Sequence, residues 1–312
     1  MDSHQRQKFL NPFSLRAAQL FLDCTQSNTL ITEAQKKKIT PFFIIGSGRS
    51  GNTLMRSVLQ RNPAVNIPPE SHSAITNSVK KFYRYGGLEW KDLVSVTLGE
   101  FASQTVFDLW NIDLLEVQRR ASALPEEEQS LAKIVDLLHA YHMETHKPEA
   151  TIWGDKTPFL ALRLKWVEKV FPNARYLNMI RDGRDVVSSY LAADLADSLD
   201  EACERWNLSI EKVEQFQKKS PGSVLTIYYE EFVNDPETTV REVCEFLDIS
   251  FDPEMLENDP VYLGDNHLKH HENVNKPISN RSVGKWKERL TDQQQRDVEK
   301  KLAGNLKRHG YQ

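Results

Sequence analysis

The tightest constraint on the fold lies between residues 42 and 59. Phe42-Phe43-Ile44-Ile45 is a short unbroken apolar run that stops at Gly46. Such a run is the pattern of a strand buried on both faces. The loop Gly46-Ser47-Gly48-Arg49-Ser50-Gly51-Asn52-Thr53 follows, and Leu54-Met55-Arg56-Ser57-Val58-Leu59 resumes with helical character. A strand covered on both faces belongs in a parallel sheet with helices above and below it. The segment therefore predicts an α/β fold.

The remaining periodicity agrees. Val65-Asn66-Ile67, stopped by Pro68-Pro69, predicts a second strand, and so do Thr151-Ile152-Trp153, residues 175–180 and residues 224–228. Helices are expected from about Phe159 to Phe171, from Gly183 towards Ala193 and from Val240 to Leu247. Leu199, Cys203, Trp206, Ile210, Val213 and Phe216 fall at spacings of four and three, one apolar stripe for core packing. Residues 72–148 carry helical patterns and no strand, so they predict a helical insertion within a domain of residues 41–312. Residues 1–40 predict an accessory segment with one short helix around Leu15–Leu22. Residues 260–281 form a long irregular stretch, and stretches of that length are usually functional or mobile.

Composition narrows the partners. The net charge of -4 offers no global positive field for nucleic acid, so an anionic ligand needs a local cluster of Arg and Lys. Cys24, Cys203 and Cys244 are far apart and form neither a metal motif nor a disulfide framework. The first residues are too polar for a signal peptide, and no apolar run reaches the roughly 18 residues that span a bilayer. A cytoplasmic protein without a membrane partner is expected. A homodimer is left open.

The loop after the first strand has nearly the shape of the phosphate loop of nucleotide hydrolases. There, glycines let backbone N–H groups wrap a phosphate at a helix N-terminus. Asn52 stands where those loops carry Lys, and Arg49 offers a planar fork of donors from inside the loop. A P-loop-like three-layer fold is expected, without the hydrolase's arrangement of charge.

Phe-Ile-Ile-Gly-Ser-Gly-Arg-Ser-Gly-Asn-Thr-Leu resembles the 5′-phosphosulfate loop of sulfotransferases that use 3′-phosphoadenylyl sulfate (PAPS). Arg181, which closes a strand, and Ser189, eight residues later, resemble the family's 3′-phosphate motif. Three further segments are similar to family loops: Trp153-Gly154-Asp155-Lys156-Thr157-Pro158, Tyr228-Tyr229-Glu230-Glu231-Phe232 and Ser282-Val283-Gly284-Lys285-Trp286. The resemblance spans residues 42 to about 290 and is closest to the tyrosylprotein branch and its bacterial relatives.

It implies a PAPS-dependent sulfotransferase acting on a hydroxyl acceptor, with PAP as product and no metal. Arg49, Ser50, Gly51, Asn52 and Thr53 would hold the 5′-phosphate; Arg181 and Ser189 the 3′-phosphate; Tyr229 the adenine. His270 and Lys285 would complete the nucleotide site. Glu70 is expected as general base, with Lys156 and Arg49 stabilising developing charge, and His72 is an alternative base. Two departures stand out: Ala193 replaces an additional 3′-phosphate Arg, and His270 aligns with a Ser of that branch. The acceptor, whether a small alcohol, a sugar or a peptide tyrosine, is open. A small-molecule kinase and a non-catalytic PAP-binding protein are the competing readings.

Overall fold

A computed structural model describes residues 29–257 and 277–311. The helix expected around Leu15–Leu22, most of the irregular stretch and His270 lie outside the described residues. After a short helix, α1 (Glu33–Lys36), the order is β1 (Phe42–Gly46), α2 (Asn52–Arg61), β2 (Val65–Asn66), α3 (Ala74–Tyr85), α4 (Trp90–Ala102), α5 (Leu114–Ser122) and α6 (Leu131–His146). Then come β3 (Ile152–Lys156), α7 (Leu164–Val170), β4 (Arg175–Ile180), α8 (Gly183–Ala192), α9 (Leu199–Gln217) and β5 (Val224–Tyr228). Four helices follow: α10 (Tyr229–Asn234), α11 (Pro236–Leu247), α12 (Trp286–Arg289) and α13 (Asp292–Arg308). Among the described residues no helix is long and apolar enough to cross a membrane.

The five strands form one sheet in the order β2-β3-β1-β4-β5, and every pairing is parallel. Strand alternation at β1 explains the layers. Phe43 and Ile45 enter the core built with the insertion helices, while Phe42 and Ile44 enter a second core with Met55 and Val58 of α2 and Val240 and Val243 of α11. A third core joins Val186, Trp206, Trp286 and Leu302, packing α8, α9, α12 and α13 together. The chain crosses from one side of β1 to the other between β3 and β4. Ligands of open α/β sheets bind beyond the carboxyl ends of strands at such a reversal.

Three boundaries differ from expectation. The helix expected from Phe159 to Phe171 divides into a 3₁₀ segment (Pro158–Leu162) and α7, with Arg163 at φ -134° as the break. β2 ends at Asn66, because the N–H and C=O groups of Ile67 bond to side chains of α2. β3 continues past Trp153 to Lys156. Gly154 has no side chain there, and a Cβ on it would collide with the Phe42 ring. The region from 74 to 146 holds α3 to α6 and, in the described residues, no sheet strand.

Candidate active site

The loop after β1 turns through Arg49 (φ 66°) and Gly51 (φ 92°), a left-handed region that glycine enters freely and arginine at a cost. Gly51 is also needed for space, since a Cβ there would lie 2.6 Å from the Tyr229 ring. Asn52 Nδ2 donates to the Ser47 carbonyl at 2.8 Å and closes the loop on itself. α2 starts at Asn52 with no side-chain cap, so its first N–H groups and the positive end of its dipole face an anion position. The Ser50 hydroxyl and Asn52 Oδ1 are buried without a partner among the described residues. Ser50 is buried off the cleft wall, whereas Arg49, Gly51, Asn52 and Thr53 form the wall of an open cleft of ≈ 990 Å³.

Arginines gather beside this loop. Arg181, on the residue after β4, is buried and donates from Nη1 to the Arg49 carbonyl at 3.0 Å and from Nη2 to the Ser282 carbonyl. Its guanidinium lies 4.7 Å from the Tyr229 ring centre, and its Nε is buried without a partner among the described residues. Arg49 Nε donates to Ser189 Oγ at 3.0 Å. Burial, and then the charge of Arg181, draw the Arg49 guanidinium below its usual value. Asp185 Oδ2 lies 3.7 Å from Arg181 Nη2, and one carboxylate beside two guanidiniums leaves a net positive charge that fits a polyanion.

On the other side of the loop stand the acid–base candidates. Lys156 ends β3, is 1% exposed, and donates its ammonium to Glu70 Oε1. Glu70 Oε2 is 3.5 Å from His72 Nδ1. Asp155, the residue before Lys156, is fully buried, and burial pushes its carboxyl upward against the opposing hydroxyls of Ser71 and Thr157. Glu70, His72 and Lys156 all line the cleft that the loop and Arg181 line.

One sequence expectation falls away from this grouping. Lys285 is not on the cleft wall; its ammonium is paired with Glu288 Oε2 at 2.8 Å one helical turn on. His270 lies outside the described residues. Arg281 and Arg289, which sequence reasoning missed, line the cleft from the same C-terminal segment. Asp185 places that segment: its carboxylate accepts from the N–H of Gly284 at 2.7 Å and of Trp286 at 2.9 Å. Arg205 and Tyr190 were missed too, and both line the cleft; Tyr190 lies in the last turn of α8, whose C-cap residue is Ala193. Exposed arginines carry no local pattern, so only the fold reveals them.

A parallel sheet, an uncapped helix behind a glycine loop, an arginine cluster and a Lys–Glu pair on one cleft define an α/β group-transfer protein for an anionic donor. The sulfotransferase family model matches residues 41–253, and the chain belongs to the sulfotransferase family. It is 28% identical to protein-tyrosine sulfotransferase A of Caenorhabditis elegans over 290 residues, covering 88% of this chain and 68% of that protein. Against protein-tyrosine sulfotransferase 1 of Danio rerio it is 25% identical over 288 residues, covering 88% and 73%. The fold is similar to the sulfotransferase domain of the Synechococcus olefin synthase, with a TM-score of 0.59 at 20% identity over 85% of this chain and 94% of that one. The relatives overturn one expectation, the cytoplasmic location, because protein-tyrosine sulfotransferases are not cytoplasmic proteins. Dispersed cysteines and a polar start to the sequence do not assign a compartment.

Proposed function

We propose that the chain transfers a sulfuryl group from PAPS to a hydroxyl acceptor and releases PAP. The observation that carries this reading is the Glu70–Lys156 pair, open to the same cleft as the uncapped α2 and the Arg49–Arg181 cluster. The residues present fit the nucleotide. The α2 N–H groups would hold the 5′-phosphate, and Arg181, with an unpartnered buried Nε, would hold the 3′-phosphate beside Ser189. Tyr229, with the Arg181 guanidinium 4.7 Å from its ring centre, would flank the adenine.

The chemistry asks for a base on one oxygen and positive charge on another. Glu70 takes the acceptor's hydroxyl proton as that oxygen bonds to sulfur. The bond from sulfur to the 5′-phosphate breaks, and Arg49 and Lys156 neutralise the charge that spreads to the sulfuryl and bridging oxygens. Once Glu70 is protonated its hold on Lys156 weakens, so the ammonium becomes available where the leaving oxygen gains charge. The wall next to Lys156 is apolar, with Pro158, Phe159 and Leu162, which suits an aromatic hydroxyl. Relatives named for protein tyrosine make a tyrosine side chain the first acceptor to try.

The test is transfer of radiolabelled sulfate from PAPS to tyrosine peptides, phenols, sugars and aliphatic alcohols without added metal. Labelled acceptor and stoichiometric PAP are expected. Metal-dependent phosphorylation from ATP would replace the reading with a kinase, although Asn52, bonded to Ser47, leaves no cation at the kinase lysine position. Tight PAP binding with no turnover on any acceptor would indicate a non-catalytic PAP-binding protein.

A further inference from the structure

β2 is paired to β3 through only two positions, Val65 with Ile152 and Asn66 with Trp153. β3 then continues to Lys156 without β2 beside it. Three residues, Ile67, Pro68 and Pro69, separate the end of β2 from Glu70, and no sheet bond fixes them. Both backbone groups of the next residue, Ile67, are nonetheless taken. Its N–H donates to Gln60 Oε1 at 2.7 Å, and its carbonyl accepts from Arg56 Nη2 at 3.0 Å and Nε at 3.3 Å. Arg56 is fully buried, and a buried guanidinium is retained only where its bonds are made. Pro68 and Pro69 follow with φ restrained by their rings.

Arg56 and Gln60 lie one turn apart on α2, the helix whose first turn is the anion position. The C-terminal end of that helix is itself held, because Lys147 Nζ donates to the carbonyls of Gln60 and Asn62, the latter at 2.7 Å. One rigid helix therefore carries the leaving-group site at its start and a two-sided clamp on the base-bearing segment two turns later. We infer that Arg56 and Gln60 are positioning residues that fix Glu70 relative to the phosphate loop. They replace the sheet ladder where β2 leaves it. The inference rests on the reading of Glu70 as base, but the clamp itself can be tested apart from it.

Two variants separate a clamp from general packing. Gln60→Leu keeps most of the volume and removes the acceptor of the Ile67 N–H; Arg56→Lys keeps charge and removes the fork. Hydrogen exchange at the Ile67 amide, followed by NMR or mass spectrometry, needs no turnover. In Gln60→Leu that amide should exchange at least tenfold faster while β1 and β4 amides stay protected, and unchanged exchange would overturn the clamp. Single-turnover rates from PAPS come next. Each variant should lose tenfold or more in rate with PAP affinity within about twofold of the parent. In the Glu70→Gln background the same changes should cost little more, because residues acting through one group are not additive. Full additivity with Glu70→Gln would reduce Arg56 and Gln60 to structural residues. If the parent protein shows no sulfuryl transfer at all, the functional reading fails, and the exchange experiment still decides whether the clamp exists.

Discussion

Glu70 and Lys156 are each other's partners in the structure, and this makes their substitutions informative in different ways. Glu70→Gln keeps the shape and removes the basic oxygen. Turnover should fall by roughly 10²–10⁴, the usual contribution of a positioned base, with PAP affinity close to that of the parent. Lys156→Ala removes charge aimed at the leaving oxygen, and the rate should fall by about 10²–10³. Because Lys156 is 1% exposed, its loss also strands the Glu70 carboxylate, so a lower melting temperature should accompany the slower rate. Single-turnover kinetics on both variants, with His72→Ala for comparison, check this. A His72→Ala enzyme that is silent beside an active Glu70→Gln would move the base to His72. Arg49, Arg181, Ser189, Glu70 and Lys156 were legible in the sequence because strand ends and a glycine loop mark their positions. Arg281 and Arg289 were not, since what brings them to the cleft is a pair of bonds from backbone N–H groups to a distant Asp185.

At the scale of elements, sequence pattern was most informative where strands are buried on both faces. β1 is a continuous apolar run, and β4 and β5 are mainly apolar, broken at Asn178 and Thr226. The last three residues of β3, Gly154-Asp155-Lys156, have no strand propensity, and pairing with β1 imposes their conformation. The insertion helices gave their periodicity but not the role of the histidines on α6. His139 is fully buried, donates from Nδ1 to the Val135 carbonyl at 2.8 Å, and stacks 3.9 Å from the Trp153 ring. Burial lowers it to about 4. His142, buried and bonded to Asn66 at 2.9 Å, is lowered to about 2, again chiefly by burial. Both are neutral in the fold, while in the unfolded chain they take up protons near pH 6.5. The unfolded state therefore binds more protons below that pH, and stability should decline as pH falls from about 6.5 towards 4, by up to about 1.4 kcal/mol per pH unit for each histidine. Urea unfolding at pH 7, 6 and 5 measures the slope. His139→Phe, which keeps a ring against Trp153, should shallow it, and an identical slope would remove His139 from the account.

For the whole molecule, the cleft gathers residues from β1, α2, β3, α8, α9 and the C-terminal segment, with Arg181 just past β4. A ligand that bridges these elements and binds only the native state stabilises it by mass action. PAP should raise the melting temperature without metal, by an amount equivalent to about 2.7 kcal/mol at a hundred times its Kd. Arg181→Ala should reduce that shift, since charge-assisted bonds contribute about 1.5–3 kcal/mol. Differential scanning fluorimetry across PAP concentrations tests both. A full shift in Arg181→Ala would mean that Arg181 does not hold the 3′-phosphate.

The parallel sheet also has a history, written in the order of its strands. Of the five described strands β1 leaves the ribosome first, yet its neighbours are β3 and β4, beginning at Ile152 and Arg175. At about 5–20 residues per second, Phe42-Phe43-Ile44-Ile45 waits on the order of ten seconds with neither edge paired. α2 and the four insertion helices emerge during that interval, and the cores they share with Phe42 and Ile44 on one face and Phe43 and Ile45 on the other can shelter the strand before any partner strand exists. Nascent chains halted before β3 should thus hold β1 in contact with helices alone, and removing the insertion should leave a chain that aggregates as it is made.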